Sequence, residues 1–448
     1  MSEIRSKNPG RRRFMQTAGA AGGAMTLSAV LPRSVWGQNA PLQVPIGHIA
    51  PFTGSGAEYG EFHRDAALLA IDHVNAAAEE VFGGPIITRL IAEDSNTLPT
   101  PAIEAARKLV EADGVPAIIC AWSSGVTIAV ATSVTIPSGV LQVGNGTTSP
   151  LVTYLPEDEE ADLLFRTSPS DALQGVVAAQ LASGEIIDDY KFKTASTIYI
   201  NNPYGQGLSN SFAEAFKARG GEILAEVAHP EEVQPTYRSQ IEAALQGNPE
   251  LLVLPTYPAH TAAICKESRD IFGFTSWQFT DANESIDVLD AVGADDLVDK
   301  IGTVPSADPD AAAYKSFAKA YEDAFGHDRI PPFTETTYDA SMVIGLALAK
   351  AVADGATDAS EITGRLLADN LRPIANPPGE QVTAGDPEQI KKALQLLKDG
   401  QDIDYVGAGG SVDFDDHGDV KTPYAIWKFT ADGTETIQIV GADDIPDE

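Results

Sequence analysis

Short apolar runs and helical apolar faces alternate along most of this chain. Residues 44–50 form a compact run that predicts a strand. Phe62, Ala66, Leu69, Ala70 and Val81 follow at helical spacing and predict an amphipathic helix. Residues 86–92 predict the next strand. Ile103, Ala106 and Val110 mark a second helix, entered through Pro99-Thr100-Pro101. Apolar runs at 115–120 and 140–143 continue the series. The rhythm restarts near residue 194, with strands predicted at 194–201, 222–228, 251–255 and 277–280. Leu208, Phe212, Ala215 and Phe216 carry one helical face between them, and Tyr237, Ile241, Ala244 and Leu245 another. Strands separated by helices imply parallel sheets covered on both faces. The chain therefore reads as α/β, with two units of similar plan. The remainder is less regular. Helices are predicted at 314–325 and 338–353, a Pro/Gly-rich loop over 370–388, and strands at 411–414 and 424–429 around a turn at 415–419.

Residues 1–37 do not share this rhythm. Arg11, Arg12, Arg13, Phe14 and Met15 give a twin-arginine pattern. A weakly apolar, Ala/Gly-rich stretch follows, and then a polar exit with Val35-Trp36-Gly37 or Ala40 as the cleavage site. The stretch is too short and too rich in glycine to span a bilayer. It is expected to be a cleaved export signal of the twin-arginine type, delivering the protein to the periplasm. No cysteine lies near the exit, so no lipid anchor is expected.

Charge narrows the partners. Lys and Arg number 30 against 64 Asp and Glu, a net charge of −34. Such a surface repels phosphate backbones and argues against nucleic acid. The acidity is spread along the chain, as on a heavily solvated surface, rather than gathered in a tail. Cys120 and Cys265 form no CxxC motif and are expected to be two separate buried thiols. The seven histidines are scattered with no HExxH, so no metal site is expected. There is no GxSxG elbow, no phosphate loop and no GxGxxG after the first strand. Neither catalysis nor a cofactor is indicated.

Two loops stand out. Ala121-Trp122-Ser123-Ser124-Gly125 follows one apolar run, and Gly144-Asn145-Gly146-Thr147-Thr148-Ser149-Pro150 follows the next. Both are small, hydroxyl-rich turns at the carboxyl ends of strands, where open α/β sheets bind ligands. Free N–H groups at a helix start, with Ser and Thr hydroxyls, suit a carboxylate. The same residues also suit ordinary helix capping.

Further pieces fall in a fixed order along the chain. They are Ile46-Gly47, Thr53-Gly54, Tyr59-Gly60, Ala70-Ile71-Asp72 and Val74-Asn75-Ala76, then Glu93-Asp94 and Ala106-Arg107-Lys108-Leu109. Phe165-Arg166-Thr167, Ser170-Asp171, Gln174-Gly175 and Tyr204-Gly205 come next. Tyr338-Asp339-Ala340, Val412-Asp413-Phe414-Asp415 and Gly418-Asp419-Val420 close the series. Their order and spacing resemble the periplasmic leucine/isoleucine/valine-binding family, the type I solute-binding proteins of branched-chain amino acid ABC transporters.

The resemblance implies a periplasmic-binding-protein type I fold of two doubly wound α/β lobes joined by three crossings. One lobe would comprise 41–166 plus 302–421, the other 167–301 plus 422–448. A small-molecule ligand would be held in the cleft by a monomer that docks with an ABC transporter permease. Trp122 and Gly146 would contribute their backbones to a ligand carboxylate, and Ser124 and Thr148 their hydroxyls, with Ser123 and Thr147 beside them. Tyr59 would line the first lobe, Tyr204 and Tyr257 the second, and Phe333 matches a cleft aromatic. The ligand ammonium would meet an acid in Thr280-Asp281-Ala282-Asn283-Glu284. Asp281 is the expected partner, with Asn283 and Glu284 as alternatives in register. Trp122 is bulkier than the family pattern and would either narrow the pocket or stack on a flat ligand. Asp171 is expected to cap a helix. The implied ligand is an amino acid or related carboxylate. An aromatic carboxylate, an amide or urea, and a sensing rather than a transport role, remain alternatives.

Overall fold

The computed structural model describes residues 42–327 and 329–446; the expected export signal lies outside them. Two parallel sheets with the same winding order organise it. The first contains β1 (Val44–Ala50), β2 (Ile87–Asp94), β3 (Ala117–Ile119), β4 (Leu141–Gly144) and β5 (Leu164–Arg166), in the order β2-β1-β3-β4-β5. The second contains β6 (Thr194–Ile200), β7 (Glu222–His229), β8 (Leu251–Val253) and β9 (Trp277–Gln278), in the order β7-β6-β8-β9. Central strands are buried on both faces and are continuously apolar, as in β3 and β8. The edge strand β2 is largely half-buried. In each sheet the winding reverses beside the first strand, between β1 and β3 and between β6 and β8. That reversal opens a crevice at the strands' carboxyl ends.

Helices cover both sheets. Gly60–Val81 packs against Thr334–Ala353, which is buried almost all round, its apolar second half in the core and the polar residues of its first turns turned to hydrogen-bond partners such as Asn145 and Tyr405. Asp171–Ala182 packs against Pro203–Ala218 on the second lobe. No described helix is long and apolar enough to cross a membrane. Cys120 and Cys265 are unbonded and buried in separate apolar clusters.

The later part of the chain departs from the expected pattern. β10 (Ile301–Pro305) pairs antiparallel with a late strand and touches Phe279 through Gly302. Residues 302–305, expected to open the return to the first lobe, thus belong to a separate three-stranded sheet formed with the last two described strands of the chain, joined to Phe279 by a single bridge. The stretch 370–388 is not a loop. Helix Gly364–Ala375 runs into it, and it contains β11 (Glu380–Thr383). It ends where Asp386 caps helix Pro387–Lys398 by accepting from the Glu388 N–H. β11 pairs with β12 (Ile403–Gly407), which pairs with β13 (Gly410–Ser411). The strand expected over 411–414 stops at Ser411. The Phe414 N–H turns instead to the Asn376 side chain at 2.9 Å, while Val412 and Phe414 still enter the core. β14 (Tyr424–Phe429) is followed by β15 (Thr434–Val440), an edge strand that completes the second lobe.

One buried ion pair joins distant segments. Arg166 at the end of β5 is fully buried and grips Asp419 with two bonds, of 2.6 and 2.5 Å. Its Nη1 hydrogens reach the carbonyls of Thr147 (3.3 Å) and Ser149 (2.9 Å), and Nη2 also donates to the Thr153 hydroxyl (2.8 Å). The guanidinium fork thereby fixes the hydroxyl-rich loop after β4.

Candidate functional site

The loops after β1, β3 and β4 face those after β6, β8 and β9. Tyr59, Trp122 and Phe333 from the first lobe meet Tyr204 and Tyr257 from the second in one buried cluster with Ile200, Leu208 and Ala282. None of the five rings is more than 4% exposed. Tyr59 and Trp122 are 5.0 Å apart, Trp122 and Tyr257 4.7 Å, and Tyr257 stacks on Tyr204 at 5.4 Å. The aromatic residues proposed from sequence are thus brought together. Phe333 has φ +67°, an uncommon state for a bulky residue. Its carbonyl accepts from the Thr337 hydroxyl at 2.6 Å, which helps hold that conformation.

Polar bonds tie the lobes across this cluster. The Tyr59 hydroxyl donates to the Ala282 carbonyl (3.2 Å), Tyr257 to Ser123 Oγ (3.0 Å), and Ser149 to the Pro203 carbonyl (2.8 Å). At the rim the Glu58 carboxylate accepts from the Ile286 N–H (3.0 Å), from the Ser285 hydroxyl and from Arg329 (2.8 Å). The lobes are closed on one another.

The first lobe's wall is rich in hydroxyls. Ser124 opens the helical stretch that begins Ser124–Val130, and its Oγ accepts from the N–H groups of Thr148 and Ser149, both at 3.2 Å. This bond joins the two loops and leaves the serine proton to donate. Ser123 makes no side-chain cap. The Gly146 N–H makes a long 3.4 Å bond to the Ala121 carbonyl. Thr147 Oγ1 is buried without a partner among the described residues. Thr148 differs from expectation, because its hydroxyl donates to Asp171 at 2.9 Å. It therefore stands on the acidic side of the site.

The second lobe's wall is acidic. Asp281 is buried, and its Oδ1 accepts from Tyr204 (2.7 Å) and Gln174 (3.1 Å). Burial outweighs these bonds and pushes the Asp281 carboxyl up to about 6. Asp171 is fully buried and is not the helix cap expected from sequence. Ser170 caps that helix by accepting from the Ala172 N–H. The Asp171 Oδ1 has no partner among the described residues, and burial together with the Asp281 charge raises its carboxyl well above the usual range. Gln174 Oε1 is likewise unpartnered. Neither Asp171 nor Asp281 forms an ion pair among the described residues. The two alternatives to Asp281 are engaged elsewhere. Asn283 donates to Thr256 and Thr261 and accepts from Thr280, and Glu284 accepts from Thr434 on β15.

Asp171, Gln174 and Glu58 were not proposed from sequence. Asp171 and Gln174 do leave a signal: two polar side chains one turn apart open a helix whose only other polar residue is Gln180, and they share its face.

Comparison with known proteins follows the same lines. A family model described as periplasmic binding protein matches residues 43–431. The chemotactic signal transduction system substrate-binding protein BasB of Halobacterium salinarum is 24% identical over 404 residues, 89% of each chain. The Leu/Ile/Val-binding protein BraC3 of Rhizobium johnstonii is 31% identical over 196 residues, 44% of this chain and 50% of that one. Among solved structures, LivJ of Streptococcus pneumoniae in complex with isoleucine superposes with a TM-score of 0.69 at 19% identity, covering 89% of this chain and 99% of that one.

Proposed function

The chain belongs to the periplasmic binding protein family, in its leucine/isoleucine/valine-binding-like type I branch, and we propose that it captures a zwitterionic amino acid between its lobes. One observation carries this reading. The first lobe offers Ser124 and loop N–H groups, with the Arg166 beneath them taken up by Asp419, while the second offers Asp171 and Asp281, which form no ion pair among the described residues. A ligand with a carboxylate at one end and an ammonium at the other answers both walls. The ammonium would be received by Asp281, Asp171 and the Thr148 oxygen, and the carboxylate by Ser124, Trp122 and Gly146. An aromatic carboxylate without an amine would bring a further negative charge to two buried acids. Urea and simple amides leave the donor wall without an anion.

Closure needs contacts to both walls, so the ligand selects the closed state by its affinity for it. The closed form then presents the cargo to an ABC permease outside the cytoplasmic membrane, with the lobes joined by the three crossings that the family resemblance implies. A sensing role is the second reading, favoured by the full-length similarity to a chemotactic substrate-binding protein.

A thermal-shift screen on protein unfolded and refolded to remove bound solute tests the ligand class. Its panel is amino acids, amides, urea and aromatic carboxylates. A ligand at a hundred times its Kd stabilises the fold by about 2.7 kcal/mol, a visible rise in Tm. A response to amino acids is expected. A response confined to benzoate-like acids would overturn the zwitterion reading.

A further inference from the structure

The aromatic wall also bounds the size of what can bind. Resting on the zwitterion reading, we infer that Trp122 is a size filter that admits compact amino acids of the glycine, alanine and serine class and excludes branched aliphatic and aromatic ones. The indole is wedged between two glycines. A Cβ added at Gly56 would fall 2.4 Å from Trp122 Cζ3, and one at Gly146 would fall 2.6 Å from Trp122 Cδ1. Both neighbouring backbones already lie against the ring, so it has no room to retreat.

Its other neighbours are fixed as well. Tyr59 and Tyr257 contact the indole at tilts of 38° and 42°. Each is tethered by its hydroxyl, Tyr59 to the opposite lobe and Tyr257 to Ser123 and Asn202. A flat ligand stacking on Trp122 would have to displace a tyrosine and break an interlobe bond. Trp122 also lies against Gly146 in the loop proposed to hold the ligand carboxylate, so a side chain leaving Cα beside that carboxylate would meet the indole. A medium aliphatic residue at this position would leave that space open.

Isothermal titration of the refolded wild-type protein and of Trp122→Leu, each with glycine, alanine, leucine, phenylalanine, acetamide and urea, tests the inference. In wild type, glycine or alanine is expected to bind at least about tenfold more tightly than leucine, since each misplaced methylene is worth roughly 10–200-fold. In Trp122→Leu, leucine should gain at least about tenfold relative to alanine. A wild type that prefers leucine or phenylalanine overturns the filter and leaves the zwitterion reading standing. A wild type that binds acetamide or urea but no amino acid overturns both. Should Trp122→Leu fail to fold by circular dichroism, the wild-type ranking of alanine over leucine decides alone.

Discussion

The two walls of the cleft solve opposite problems. The first lobe's wall is nearly self-sufficient, because Ser124 satisfies the N–H groups of Thr148 and Ser149 and ties one loop to the other. These bonds are long, at 3.2 Å, and a ligand carboxylate can compete for the same donors at small cost. The second lobe's wall is not self-sufficient. Asp171 and Asp281 are both buried, both held above the usual carboxylate range, and without an ion-pair partner among the described residues. An uncompensated buried carboxylate is costly, and a ligand ammonium relieves that cost. The difference assigns orientation to the first wall and charge selection to the second.

Removing Asp281 should break the comparison most sharply. Asp281→Ala is expected to weaken alanine binding by roughly 2–5 kcal/mol, measured by titration calorimetry. The empty protein should keep or raise its Tm at pH 8, because an unpaired buried charge has gone. Unchanged affinity would remove Asp281 from the site. The pH dependence follows with its sign. The Asp281 carboxyl is raised from 3.8 to about 6, so the stability it lends the empty fold is complete below 3.8 and is lost as pH rises through about 6. Ligand affinity runs the other way, since an ammonium needs the ionised partner. Kd for alanine should therefore rise as pH falls from 8 to 5, and Asp281→Asn should flatten that profile.

Ser124→Ala tests the other wall. It leaves the N–H groups of Thr148 and Ser149 without their acceptor, at a cost of about 1–3 kcal/mol. Here both the empty protein's Tm and the affinity should fall. Stability that moves in opposite directions in the two variants would sharpen the comparison. A fall in both would place the acids in the structural framework.

The alternation of strands and helices pointed to the loops that carry Trp122 and Gly146, whereas Tyr59, Tyr204, Tyr257, Phe333 and Asp281 came from the family resemblance; the structure gathers the five rings in one cluster and sets Asp281 against Tyr204. The place of Asp171 was not legible. Local grammar makes Ser-Asp at a helix start a cap, yet its side chain answers to Thr148, 23 residues away, while Gln174 reaches Asp281 across 107. Such pairings exist only once the lobes are folded. β15 was missed although its residues alternate, because an exposed edge strand has little apolar contrast to announce it. The segment 370–388 was misread because Pro377, Pro378, Gly379 and Gly385 mark only short interruptions between elements, and Pro373 lies inside a helix.

Glu58 offers the smallest and most discriminating perturbation. Its carboxylate, from the first lobe, accepts from the Ser285 hydroxyl and the Ile286 N–H of the second while pairing with Arg329. The side chain is only 4% exposed, so these bonds are shielded from water. It touches neither wall's polar groups, and its bonds to Ser285 and Ile286 cross between the lobes, so they form only on closure. Glu58→Gln keeps an acceptor oxygen and loses the charge. It should cost about 0.5–1.5 kcal/mol of affinity. The loss should fall on the dissociation rate, because the latch resists opening after capture. It should also be equal for glycine and alanine, since closure is common to both. Stopped-flow fluorescence of the cleft tryptophan can measure both rates. A changed glycine-to-alanine ratio would mean that Glu58 shapes the pocket as well as the closure, and the division between selecting walls and a neutral latch would then fail.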